Sequence, residues 1–441
     1  MKAETTVPDS TLPSAPAEAF SSTPEQFRGM ARLFRSLRHR DFAIFWAGNF
    51  LSNTGTWMQS VALGWLVLEL TDSAWLLGLN GFMTTVPTLL FFWAGGAIAD
   101  RFDRRRLMLV IQAGMLTLAL LLGTLTLVNH ITISSIFLIS FLMGLATALN
   151  YPAYQALFPD LVEEEDLLNA VALNSTQFNM ARAFGPTLAG LAMGGLGAAV
   201  CFYLNAFSFL GLIVALLVIR PPKFTPPRDG SVWQAVREGV QFVAERRLVL
   251  LLLSVPAFLS FFAFPFVILM PVFARDLLGM GPSGLGYLMG GAGLGAGACG
   301  LVLAYAGPPR NVSRAIPASA LLFSLALLGF SASASFLLSF FLLFLVGATM
   351  VGALALTSTN LQQLTPKRLR GRVMSIYNLA MMGLLPLGSL QAGAVASTLG
   401  ARVAIGYGAV VCLLYFAFLL FRLPALWAPY ERHQTSSQAL P

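Results

Sequence analysis

Asn49, Asn53, Thr56 and Ser60 recur at spacings of 4, 3 and 4 in an otherwise apolar stretch, with Ser52 and Gln59 beside them. Ser175, Asn179, Arg182 and Pro186 repeat that spacing further on. Residues at such intervals share one face of a helix. Amides, hydroxyls and a guanidinium can hold and orient a small molecule. They include no nucleophile with its base, no paired acids and no metal-ligand cluster. The chemistry on offer is recognition, which argues against an enzyme. Arg182 lies roughly 24 Å along its helix from Asp166, deep in apolar sequence. A guanidinium stays charged and is costly there unless paired. Its partner is a carboxylate near a helix end, Glu69 or Asp72, or an anionic substrate. A structural role among polar neighbours and backbone carbonyls also fits. The polar faces likewise read either as a cavity wall or as hydrogen bonds between helices.

Further along, FLSFFAFPFVILMP clusters Phe258, Phe261, Phe262, Phe264 and Phe266 around Pro265. The proline kinks the helix. Phe262 is a candidate cargo contact, the alternative being an aromatic stripe against lipid or neighbours. Asn378 is a further candidate for the substrate pathway. GPSGLGYLMGGAGLGAGACG pairs Gly286/Gly290, Gly291/Gly295 and Gly293/Gly297, small residues that favour close helix packing. Cys201, Cys299 and Cys412 stand one each in distant apolar runs, so no disulfide framework, metal site or cofactor is expected.

The elements that carry these residues follow from composition. Of 441 residues, 57% are hydrophobic and only 10% charged, and mean hydropathy is +0.75. A water-facing surface needs about 25% charge. Apolar runs of bilayer-crossing length recur at 42–70, 74–98, 107–128, 133–156, 167–194, 198–219, 248–274, 284–306, 315–331, 335–363, 373–398 and 403–421. The chain therefore reads as an all-α integral membrane protein of twelve transmembrane helices. With both termini in the cytoplasm, all but Arg182, Arg275 and Arg402 of the 27 Lys and Arg fall on that side, as positive residues should. The net charge of +8 is then membrane topology, and no nucleic-acid partner is expected. Residues 1–40 form a cytoplasmic tail in which Arg28, Arg32 and Arg35 read either as a basic helical face suited to anionic lipid or as a plain positive-inside flank. A first bundle spans 41–220, a proline-broken linker 221–247, a second bundle 248–423 and a tail 424–441. Two six-helix halves joined by a long cytoplasmic loop form the pattern of a transporter with its site between the halves.

The loop after the second span reads GGAIADRFDRRR. Gly96, Asp100, Arg101, Arg104 and Arg105 in this order resemble the signature loop of the major facilitator superfamily, with Asp103 where that pattern has glycine. The resemblance implies two pseudo-symmetric bundles and a cytoplasmic latch from Asp100 towards Arg370 and Arg372. In the second half Gly300 is kept but Ala304 replaces the acid, so the latch is one-sided. RDFAIFWAGNFLSNTGTWMQ, NAVALNSTQFNMARAFGPTLAG and RGRVMSIYNLAMMGLLPLGS resemble the enterobactin-exporter-like group of bacterial efflux carriers for siderophores and macrolides. That likeness implies export of a small organic molecule across a bacterial inner membrane by a monomer, coupled to protons. Asp41 and Glu69 are the candidate coupling acids, and Asp41 could equally cap the first helix. Ser140-Phe-Leu-Met-Gly144 stands where many superfamily members carry an arginine motif. Lysophospholipid transport on the same fold is the alternative. No Walker motif is present to take energy from ATP.

Overall fold

The computed structural model describes residues 34–220, 232–307, 309 and 311–438, and leaves out the side chains of 92–100, 232–236, 426 and 428–438. The basic tail with Arg28 and Arg32, the proline-rich linker 221–231 and the side chains of Gly96 and Asp100 thus lie outside the described residues. Regular structure among the described residues is helical throughout. The first bundle comprises α1 (Arg40–Thr71), α2 (Ala74–Arg101), α3 (Arg104–Leu127), α4 (Ile133–Leu157), α5 (Leu167–Leu196) and α6 (Ala198–Val218). An amphipathic helix, α7 (Val232–Glu245), follows in the linker. The second bundle comprises α8 (Arg247–Leu277), α9 (Pro282–Ala306), α10 (Val312–Ala332), α11 (Phe336–Leu364), α12 (Arg370–Gly383 continued by Leu385–Leu399) and α13 (Ala401–Gln438). All twelve expected spans are present. The last helix runs on past 421 to Gln438, although its apolar stretch ends at Ala425.

Local chemistry sets the helix ends. Asp103, the residue that departs from the signature pattern, accepts a hydrogen bond from the Arg106 amide at 2.8 Å and so caps α3. Thr132 and Ser135 form a reciprocal capping box at the start of α4. Gly197 (φ +81°) ends α5 and Gly400 (φ +87°) ends α12, both in the left-handed region.

Packing repeats under a shift of six spans. α2 lies along α4 as α9 lies along α11, and α3 along α6 as α10 lies along α13. Across the bundles, α5 packs on α9 and α2 on α12. Both crossings use glycine pairs. Gly78, fifth in α2, meets Gly393 of α12, while Gly286, fifth in α9, meets Gly190 of α5. A Cβ at Gly78 would lie 2.7 Å from Gly393 Cα, and one at Gly190 would lie 2.8 Å from Gly286 Cα. Backbones come this close only without side chains between them. The glycines of α9 divide their work: Gly286, Gly290 and Gly293 face α5, and Gly291 and Gly295 face α11. All four crossing glycines lie towards one end of the molecule, here the far end. The opposite end, where the described chain starts at Phe34 and where most of the described arginines lie, is the basic end.

Among the described residues, ten spans are long and apolar enough to cross a bilayer. The two that are not, α1 and α5, are the helices that carry the spaced polar faces. α8 is broken as its prolines suggested: one-turn π segments at Leu259–Ala263 and Phe273–Leu277 interrupt it on either side of Pro265 and Pro271.

Candidate functional site

A cavity of about 600 Å³ lies between the bundles and is walled by both. The first bundle supplies the polar side. Thr56, Gln59 and Ser60 of α1, Asn179 and Arg182 of α5, and Asn80, Ser140 and Asn205 line it. Two of the pairings are internal: Asn205 donates to Gln59 at 2.8 Å, and Ser140 donates to Asn80 at 2.8 Å. Thr56 and Ser60 are exposed in mid-span, towards this space. The second bundle supplies an apolar wall of Phe264, Val267, Ile268, Met289, Met350, Leu354 and Met381. Its two polar members, Ser358 and Tyr377, donate to backbone carbonyls of their own bundle.

Arg182 is the one charged side chain among the described residues that line the cavity. Its Nη2 lies 3.7 Å from the sulfur of Met350, and its guanidinium sits 5.7 Å from the Trp57 ring centroid. No described carboxylate forms an ion pair with it. Asp72 is not its partner: Asp72 pairs with Arg275, which also donates to the Leu68 carbonyl at 3.3 Å. That ion pair joins the first bundle to the second at the far end. Glu69 is exposed at the same end.

Some sequence candidates are not brought to the cavity. Asn49 is buried and donates to Tyr154 Oη at 3.2 Å and Gln177 Oε1 at 3.3 Å, which ties α1 to α4 and α5. Asn53, Ser175 and Asn378 are absent from the lining; the Ser175 carbonyl accepts from Asn179. Phe262 packs on Phe258, Phe261 and Tyr407 between α8 and α13, and Phe264 of the same aromatic run lines the cavity instead. Asp41 accepts from the Arg220 amide at 2.9 Å at the basic end, so its oxygen closes a helix junction. The α1 N-cap is His39.

The described contacts of the basic loop residues stay within one half or reach the linker helix. Arg104 pairs with Asp160 at 2.6 Å and donates to the Ala156 carbonyl, both at the end of α4. Arg105 donates to the Leu216 and Leu217 carbonyls at the end of α6. Arg101 is exposed. Arg370 donates to the Thr365 carbonyl, and Arg372 pairs with Glu238 of α7. The Arg372–Glu238 contact was not legible in sequence, because no motif ties the linker to α12. Arg35 turns inward to Asp166 at 2.6 Å.

The cavity invites comparison with proteins of known role. Residues 31–440 match the family described as transmembrane secretion effector. A staphyloferrin A transporter of Staphylococcus aureus (strain NCTC 8325 / PS 47) is 27% identical over 364 residues, covering 81% of this chain and 89% of that protein. An enterobactin exporter of Shigella boydii serotype 4 (strain Sb227) is 25% identical over 214 residues, covering 48% of this chain and 51% of that protein. The crystal structure of a nucleoside transporter superposes with a TM-score of 0.71 at 10% identity, covering 88% of this chain and 99% of that one. That last likeness is one of fold alone.

Proposed function

The chain belongs to the transmembrane secretion effector family of the major facilitator superfamily, and from this we propose that it exports a small amphipathic organic molecule, a siderophore, drug or similar compound, from a bacterial cytoplasm by alternating access. It is a multi-pass membrane transporter related to siderophore and macrolide exporters. The observation that carries the finer reading is the central cavity, polar on one half and apolar on the other. Such a space suits a cargo with two faces.

The positive-inside rule assigns the basic end to the cytoplasm. The glycine crossings and the Asp72–Arg275 pair then close the periplasmic end, and cargo enters from the cytoplasm. The signature-loop arginines, with Asp100, Arg370 and Arg372, form the clasp of the opposite conformer. Reaching it requires Arg372 to exchange Glu238 for the first half. Proton entry drives export in this scheme, with Glu69 at the periplasmic end as the acid.

Everted membrane vesicles test this. Vesicles containing the protein should accumulate a siderophore or macrolide cargo when a proton gradient is imposed, and an uncoupler should stop the accumulation. Accumulation of none of these compounds, in vesicles that retain the folded protein, would overturn the proposal.

A further inference from the structure

We infer that the cavity binds its cargo as an amphipathic monoanion, with one oxyanion on Arg182 and the apolar body on the methionine-bearing wall of the second bundle; this rests on the cavity being the cargo site. Arg182 brings five N–H donors, and its described contacts are a thioether sulfur at 3.7 Å and an indole face. Neither is an oxygen acceptor. Of the two acids expected to reach it, Asp72 is held by Arg275 and Glu69 is exposed at the far end. A positive group in a cleft lined by no described acid favours a ligand that brings one. A carboxylate fits best, because it meets a guanidinium with two parallel hydrogen bonds.

The rest of the lining limits the charge to one. No second described cation faces the space. The amides of the lining are partly committed to each other, as in the Asn205–Gln59 pair. A second carboxylate on the cargo would therefore be desolvated against Met289, Met350, Met381 and Leu354, with nothing to offset the cost. Methionine side chains are flexible and polarizable and conform to varied apolar shapes. The charge rule is therefore strict, while the shape of the body is loosely specified.

The test uses three probes that share a naphthalene body: 2-naphthamide, 2-naphthoate and naphthalene-2,6-dicarboxylate. Binding is measured by isothermal titration calorimetry on the full chain in lipid nanodiscs. The wild-type protein should bind 2-naphthoate at least about tenfold more tightly than the amide, the yield of one charge-assisted hydrogen-bonded pair. The dicarboxylate should bind more weakly than the monoanion. Arg182→Gln should bring 2-naphthoate to the affinity of the amide, and Arg182→Lys should retain part of the preference. Equal affinities for all three probes on the wild-type protein would overturn the inference without recourse to any variant. So would an unchanged preference in Arg182→Gln. Because binding is read without transport, a chain that fails in vesicles yet selects the monoanion refutes export and leaves this inference standing.

Discussion

Replacing Gly78 with alanine should open the far end of the molecule. The added Cβ would stand 2.7 Å from both Gly393 Cα and the Ser389 carbonyl oxygen, whereas carbon pairs settle at about 3.5–4.0 Å. Both obstacles are backbone, so no rotamer change relieves them. α2 and α12 must separate at this crossing by roughly 1 Å, and the neighbouring contacts loosen with them. Overpacking of this kind costs about 1–3 kcal/mol. A conformer whose far ends are already apart escapes that cost, so the ratio of closed to open should fall about 5–150-fold. The readout is a cysteine at Ser60, which is exposed on the cavity wall, in a chain with Cys201, Cys299 and Cys412 replaced. A membrane-impermeant thiol reagent added at the far side should label it slowly in the parent and faster, by that factor, after Gly78→Ala. Gly286→Ala should do the same at the symmetry-related crossing, where its Cβ would meet the Pro186 carbonyl oxygen at 2.7 Å. Gly114→Ala, with nothing within 4 Å, is the control. Unchanged labelling in both crossing variants, with normal thermal unfolding, would refute the view that these glycines hold the far end shut.

Other consequences are smaller but distinct. Asp72→Asn should raise far-side labelling only modestly, about fivefold or less, because the Asp72 carboxylate is 82% exposed and such pairs contribute about 0–1 kcal/mol; high salt should mimic it in the parent. Asn49→Ala should lower thermal stability by about 1–3 kcal/mol, the cost of leaving buried partners unpaired, while 2-naphthoate affinity stays within twofold (roughly 0.4 kcal/mol). A fall in affinity without a fall in stability would return Asn49 to the substrate path. Glu238→Gln should speed hydrogen exchange across Val232–Glu245 by loosening α7 from Arg372; unchanged exchange would mean that the ion pair does not hold the linker helix.

Spans were legible because hydrocarbon demands long apolar helices, and that demand leaves its mark residue by residue. The faces of α1 and α5 were legible for the opposite reason, since polar groups at helical spacing stand out against such a background. Which member of a face reaches the cavity was not. Asn49 and Asn53 share a stripe with Thr56 and Ser60, but α1 runs the length of the bundle, and only its middle borders open space. Asn49 lies nearer the basic end, where α4 brings Tyr154 against it. The aromatic run of α8 misled in the same way. The π turn at Leu259–Ala263 rotates the helix, so that Phe264 takes the cavity and Phe262 takes Tyr407. Three-residue spacing cannot report a five-residue turn. Long-range partners such as Glu238 for Arg372 leave no local pattern at all. The one departure from the signature loop, Asp103, proved to be a helix cap, which residue chemistry alone could have suggested.

The central claim is that two six-helix halves rock about the shared cavity, and distances across both ends test it most directly. Spin labels at Leu196 and Leu399 report on the far end, and labels at Leu168 and Tyr305 report on the basic end; all four sites are well exposed. Double electron–electron resonance in lipid nanodiscs should compare the parent with the Gly78→Ala, Gly286→Ala double variant. The far-end distance should lengthen while the basic-end distance shortens, each shifting between two discrete populations. Distances that stay fixed at both ends, or lengthen together, would contradict the rocking of rigid halves.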